Sequence, residues 1–174
     1  MIFAQIHSYT DSTGATKTTI AVSLDQPDAS WVGYAVPSAD WLSLNSKNQI
    51  VVATVDPAIA RAQASQSAAM NSACQTAIQA GFSSSALGSA YTYGCKATDQ
   101  ANINLTAISG GSLWCENSAG AWTLTSHTPA QAQQVQKDMV AHIQAQQANY
   151  AKALSDIAAS ASVTAVQAVT WTTP

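Results

Sequence analysis

Thr128-Pro129-Ala130-Gln131 is the strongest folding instruction in the chain. A threonine at the N-cap accepts a backbone N–H of the first turn, proline suits the first helical position, and glutamine at the third reaches back to the cap. After this start Val135, Met139, Ile143, Tyr150, Leu154, Ile157 and Ala161 recur mostly in steps of three and four, with Gln146 or Gln147 filling the wide gap. That is one apolar face of a long helix, expected over 129–160. A second start, Asp56-Pro57, and a stop at Gly81 place another helix over 57–80. Its large apolar residues are sparse (Ile59, Met70, Ile78), with Ala62, Ala69, Ala73, Cys74 and Ala77 between them. Such a face lets another helix approach closely but gains little burial energy per turn, so this helix needs partners to stay folded.

Around these helices the pattern turns β-like. Ile2, Ala4 and Ile6 share one face of an alternating run, and Thr18, Ile20 and Val22 share a face of its return. The Asp11-Ser12-Thr13-Gly14 turn between them predicts an N-terminal β-hairpin. Residues 25–56 read as irregular, with Pro27, Pro37, Trp31, Tyr34 and Trp41, followed by a short strand at Gln49–Ala53. Between the helices, Tyr91-Thr92-Tyr93 suits a small strand, and Thr98 or Asp99 can cap a short helix through Ile108 that Gly110-Gly111 breaks. Leu113-Trp114-Cys115 and Trp122-Thr123-Leu124 flank Asn117-Ser118-Ala119-Gly120 as a second hairpin. Val163 to Trp171 reads as a β-prone tail. The expected class is α+β. A β-rich attachment segment occupies residues 1–56, and a helical domain with a central hairpin and a short C-terminal β segment occupies 57–174.

Composition narrows the function. Hydrophobic residues are 47% of the 174, many of them alanine, while charged residues are only 9%, against about 25% in ordinary soluble domains. Few charges keep copies apart, which suits a protein that sits against itself or a partner. The six Lys and Arg (Lys17, Lys47, Arg61, Lys96, Lys137, Lys152) are scattered and the net charge is −3, so the electrostatic term for nucleic-acid binding is missing. No apolar run is long enough to span a bilayer. Met1 to His7 lacks the basic and apolar regions of a signal peptide, and folding is expected in the cytoplasm where the chain is made. Cys74, Cys95 and Cys115 stand about twenty residues apart, without the close pairs of a structural zinc site, and read as reduced, buried hydrophobes.

A search for chemistry finds no phosphate-binding loop, dinucleotide fingerprint, nucleophile elbow or zinc-protease motif. His7, His127 and His142 lie in different zones. Asp138 and His142, one helical turn apart, read as a helix-surface pair, and His127 as a capping or packing residue. Asp25/Asp28 and Asp99/Glu116 lack the frame of a glycosidase pair, and no window holds the carboxylates of a calcium loop. Neither a cofactor nor a catalytic residue is assigned.

From about Ala60 to Thr170 the order of features resembles a domain of unknown function found in tail-fibre and tail-fibre-assembly proteins of tailed phages and prophages. The features are a helix ending at a glycine (Ala77-Ile78-Gln79-Ala80-Gly81), an aromatic strand (Tyr91-Thr92-Tyr93) and a helix start at Asp99-Gln100-Ala101-Asn102. Then come tryptophan strands at Trp114 and Trp122, and a polar cap leading into a Gln/Ala-rich helix that carries His142. Met70-Asn71-Ser72 departs from the family, whose relatives tend to carry basic residues there, so no basic contact is inferred. The resemblance implies a non-catalytic structural component of a phage tail, located in the virion, with other tail proteins as partners and a homo-oligomeric, trimeric habit. The alternatives are a tail-fibre assembly chaperone, or a carbohydrate-binding receptor module with Trp31, Tyr34 and Trp41 as its sugar platform. Trp31, Tyr34 and Trp41 either pack on the chain's own core or form a docking surface. Together with Ile2 and Ile6 of the hairpin, and Trp171 near the C-terminus, they are the candidate attachment residues.

Overall fold

The structure, a computed structural model, describes residues 1–173. The chain is α+β and divides into two units, Met1–Arg61 and Ala62–Pro174, with the division falling inside the first long helix.

In the first unit, β1 (Ile2–Thr10) and β2 (Thr16–Ser23) form the expected hairpin, and β3 (Val32–Tyr34) pairs with the other edge of β1. A single 3-10 turn (Ala39–Trp41) leads into a second, smaller hairpin of β4 (Leu42–Leu44) and β5 (Ile50–Val52). The stretch read as irregular therefore holds ordered β structure, though in strands of three residues that leave almost no periodicity to read. Ile2, Ala4 and Leu42 form a small core, with Ile20, Tyr34, Val36, Ala39 and Ile50 packed around it.

Three hairpins, β1/β2 and β4/β5 in the first unit and one in the second, close with one turn design. In Asp11–Ala15, Asn45–Gln49 and Asn117–Ala121 the first residue's N–H donates to the fifth residue's carbonyl, at 2.9, 3.0 and 3.0 Å. The first residue's Oδ1 accepts the N–H of the third and fifth residues. The fourth residue (Gly14, Asn48, Gly120) takes a positive φ of 84°, 56° and 78°. This is a type I turn followed by a left-handed bulge residue, which is why Asx opens each turn and Gly or Asn closes it.

In the second unit, α1 (Pro57–Gln79) runs on from its first turns in the first unit. Asp56 caps it, accepting the Ala58 N–H at 2.8 Å. The helix buries Met70, Cys74 and Ile78, one residue per turn, between alanines. It stops at Gly81, whose φ is 97° and where a Cβ would stand 2.5 Å from the Tyr93 carbonyl oxygen, so only glycine fits the turn. There follow β6 (Phe82–Ser84), β7 (Tyr91–Tyr93), α2 (Ala97–Ser109), β8 (Gly111–Glu116) and β9 (Trp122–His127). The four strands form one antiparallel sheet in the order β6-β7-β8-β9. Neither Thr98 nor Asp99 is the N-cap of α2. The helix begins at Ala97, and Asp99 sits in the first turn with its carboxylate accepting the Lys96 N–H at 3.0 Å.

The helix α3 (Pro129–Ala159) starts where the capping box places it, with Gln131 N–H on Thr128 Oγ1 at 3.3 Å and Thr128 N–H on Gln131 Oε1 at 2.8 Å. Val135, Met139 and Ile157 are buried, and the gap in the apolar face is filled by buried Gln146. Ala161 lies past the helix end and is exposed. The tail expected to be β is instead a short helix, α4 (Val163–Gln167). Ser162 caps it by accepting the Ala165 N–H at 3.1 Å, and Val166 is fully buried. A local cap and one anchoring contact outweigh the weak strand preference of Val and Thr. The core of the unit joins Cys74, Ile78, Phe82, Tyr93, Cys95, Ile103, Leu113, Cys115, Val135 and Met139.

Candidate functional site

The N-terminal hairpin is longer than the core beneath it. β1 and β2 pair from Phe3↔Ser23 to Thr10↔Thr16, whereas β3 covers β1 only at Ile2, Phe3 and Ala4. Ile2 and Ala4 are buried, but burial ends there, and Ile6 to Thr10 are exposed. Beyond Ala4 the hairpin is thus a two-stranded finger whose β1 edge carries unpaired N–H and C=O groups. Such a ribbon gains little stability alone and more by joining another sheet.

The structure separates the candidate attachment residues into different environments. Ile2 is 8% exposed and stands opposite Tyr34 in the β1/β3 register, so these two belong to the small core. Ile6, opposite Ile20, lies on the projecting finger and is 39% exposed. Trp31 approaches the finger, its ring 6.5 Å from His7 at an interplanar angle of 52°. Its loop is tied to β1 by the Gln5 side-chain amide, which donates to Ser30 Oγ at 2.7 Å. Trp41 is half-buried at the end of the 3-10 turn, and its carbonyl accepts the Ala53 N–H at 2.7 Å. Trp171 belongs to the second unit, where it packs on the core with its indole N–H buried and unpartnered. Exposed Tyr9, Val22 and Val32 extend the apolar character of the first sheet. The register sets Val22 and Val32 beside Ala4 on one face and Tyr9 on the other, and of the three the sequence reading places only Val22.

Two histidines of the second unit are engaged in architecture. His127 is buried. Its Nδ1–H donates to the Thr125 carbonyl at 2.8 Å, so Nε2 is free to accept the Tyr93 hydroxyl at 2.8 Å. Burial first, and Cys115 second, push the Tyr93 phenol well above its ordinary range. His142 does not pair with Asp138, as the helical spacing led one to expect. Its Nε2 meets the Ala77 and Ile78 carbonyls at 3.2 and 3.3 Å, closing the C-terminal turn of α1, and its ring stacks on Phe82. Asp138 instead accepts from the Gln134 amide at 2.8 Å. The last carbonyls of a helix lack intrahelical partners, so an imidazole N–H packed against that end finds acceptors there. Cys74, Cys95 and Cys115 are buried and carry free thiols, and burial raises the first two.

One exposed cluster escaped the sequence reading. Trp114, Trp122 and Leu124 were read only as strand markers, yet the β8/β9 register puts them on one outward face, 61%, 47% and 58% exposed. Period-two alternation within each strand was the available signal.

No curated protein and no solved structure matches the chain. The capped long helix, the tryptophan hairpin and all but the first turn of the helix ending at Gly81 lie within residues 61–173, over which the chain matches a family model. On that match, the chain belongs to the family described as Domain of unknown function (DUF4376).

Proposed function

We propose that this protein is a non-catalytic structural component of a bacteriophage tail, fibre- or baseplate-associated, resident in the virion and attached to other tail proteins through its N-terminal hairpin. The observation that carries the attachment is the projecting finger, with its open β1 edge beyond Ala4 and Trp31 set beside it. An added strand would supply hydrogen bonds along that edge, and an aromatic beside it is a favoured interface anchor. The tail assignment draws on the resemblance of residues 60–170 to tail-fibre proteins. The low share of charged residues, 9%, agrees with a life among neighbouring subunits. A structural rather than catalytic role agrees with His127 and His142 both being committed to internal hydrogen bonds.

The test is incorporation. Mass spectrometry of purified particles is expected to find the protein at stoichiometric level. Ile6→Lys and Trp31→Ala, which spare the Ile2/Ala4/Leu42 core, are expected to reduce occupancy, with a Trp31→Ala loss above about 1 kcal/mol if that side chain is a hot spot. A protein absent from particles but required for fibre attachment would be an assembly chaperone instead. Full occupancy of both variants would move the attachment surface away from the hairpin.

A further inference from the structure

β9 is the edge of the four-stranded sheet, and among the described residues no strand pairs with its outer side. Edge strands that remain single usually carry a lysine, a proline or a bulge. Trp-Thr-Leu-Thr-Ser-His has none of these and no Asp, Glu, Lys or Arg at all. The direction of its free backbone groups follows from the turn. Asn117 N–H donates to the Ala121 carbonyl at 3.0 Å, so these two form a hydrogen-bonded pair. Alternation along an antiparallel ladder then turns Thr123, Thr125 and His127 toward β8, and the N–H and C=O of Trp122, Leu124 and Ser126 toward the open edge.

Those three residues are symmetric about Leu124. A second β9 laid antiparallel with Leu124 on the dyad would place Leu124 opposite its own copy and Trp122 opposite Ser126. Every outward N–H and C=O of the strand would be paired. The side chains agree with this register. On the outward face one end of β9 carries the large Trp122, opposite Glu116, the centre holds Leu124 opposite Trp114, and the other end is small, Ser126 opposite Ser112. The dyad lays each Trp122 over the serine end of the other copy, large against small. No like charges meet along the strand, a condition a self-pairing surface must satisfy because it faces itself.

We propose that two copies of this chain associate through β9, joining their sheets edge to edge about a two-fold axis at Leu124. This contact lies in the second unit and does not depend on the hairpin attachment proposed above. Sedimentation equilibrium of the full chain over about 1–100 μM, the range where small transient interfaces populate, is expected to show a monomer–dimer equilibrium. Leu124→Lys, at an exposed position, brings two like charges together on the axis and is expected to weaken association on the order of tenfold or more, with the helical circular dichroism unchanged. Leu124→Cys is expected to oxidise to a covalent dimer, while Ser118→Cys in the turn is not. A chain that stays monomeric throughout this range would overturn the proposal and leave the edge to a different protein. A dimer or trimer that Leu124→Lys does not weaken, or that Leu124→Cys does not trap, would equally overturn it by placing self-association elsewhere.

Discussion

Tyr93 and His127 form the most exacting polar contact of the second unit, because both are buried and each completes the other. The Tyr93 hydroxyl has the His127 ring as its acceptor, and the His127 tautomer is set by the Thr125 carbonyl behind it. Tyr93→Phe removes the donor and leaves Nε2 buried without a partner, so a loss of about 1–3 kcal/mol is expected in denaturant unfolding. An unchanged midpoint would mean that water reaches the ring. The cysteines make a second residue-scale prediction. With all three buried and two thiols raised by that burial, thiol reagents are expected to label them only after denaturation. Rapid labelling of the native protein would contradict their placement.

At the scale of elements, caps and turns carry much of the local specification. Thr128→Ala deprives the Gln131 N–H of its acceptor and is expected to cost about 0.5–2 kcal/mol, read as a lower melting temperature. The Asp11 turn adds a pH dependence. The Thr13 hydroxyl first, then Lys17, then the Thr13 and Ala15 N–H groups hold the Asp11 carboxyl down to about 2 from an ordinary 3.8. A carboxyl lowered by folding stabilises the folded turn above its unfolded pKa, and that contribution fades as pH falls from 3.8 toward 2. Amide exchange at Thr13 and Ala15 is therefore expected to accelerate across that window. Asp11→Asn keeps the acceptor oxygen and is expected to flatten the response. The same turn at Asn45 and Asn117 uses a neutral amide, and there no such response is expected.

For the whole molecule, scarce charge is matched by the work given to glutamine. The side-chain amides of Gln63, Gln66 and Gln133 donate to the carbonyls of Ile157, Val169 and Ala107, binding helices, tail and connecting segments without ions. Among the described residues the ion pairs are all at exposed side chains or partly so, where each contributes about 0–1 kcal/mol. Thermal stability is accordingly expected to change little between low salt and about 1 M NaCl, a concentration at which exposed pairs are screened. A large shift in melting temperature would show that ion pairs carry more of the fold than their exposure implies.

Local chemistry alone determined the elements with strong punctuation. Thr128-Pro129 and Asp56-Pro57 start their helices, Gly81 ends one, and Asx–Gly turns close the first and last hairpins, because each acts on backbone groups a few residues away. The helical face of α3, down to its polar gap, was legible for the same reason. What depends on distant partners was not. His142 turned from Asp138 to the end of α1 because the last carbonyls of that helix stood within reach, and Val163–Gln167 became helix because Val166 found a buried site. The three-residue strands of the first unit take their identity from the strands beside them. The outward face of Trp114, Trp122 and Leu124 became visible only once the β8/β9 register was set. Sequence determines which way a side chain alternates along its own strand, and tertiary structure decides what, if anything, covers that side.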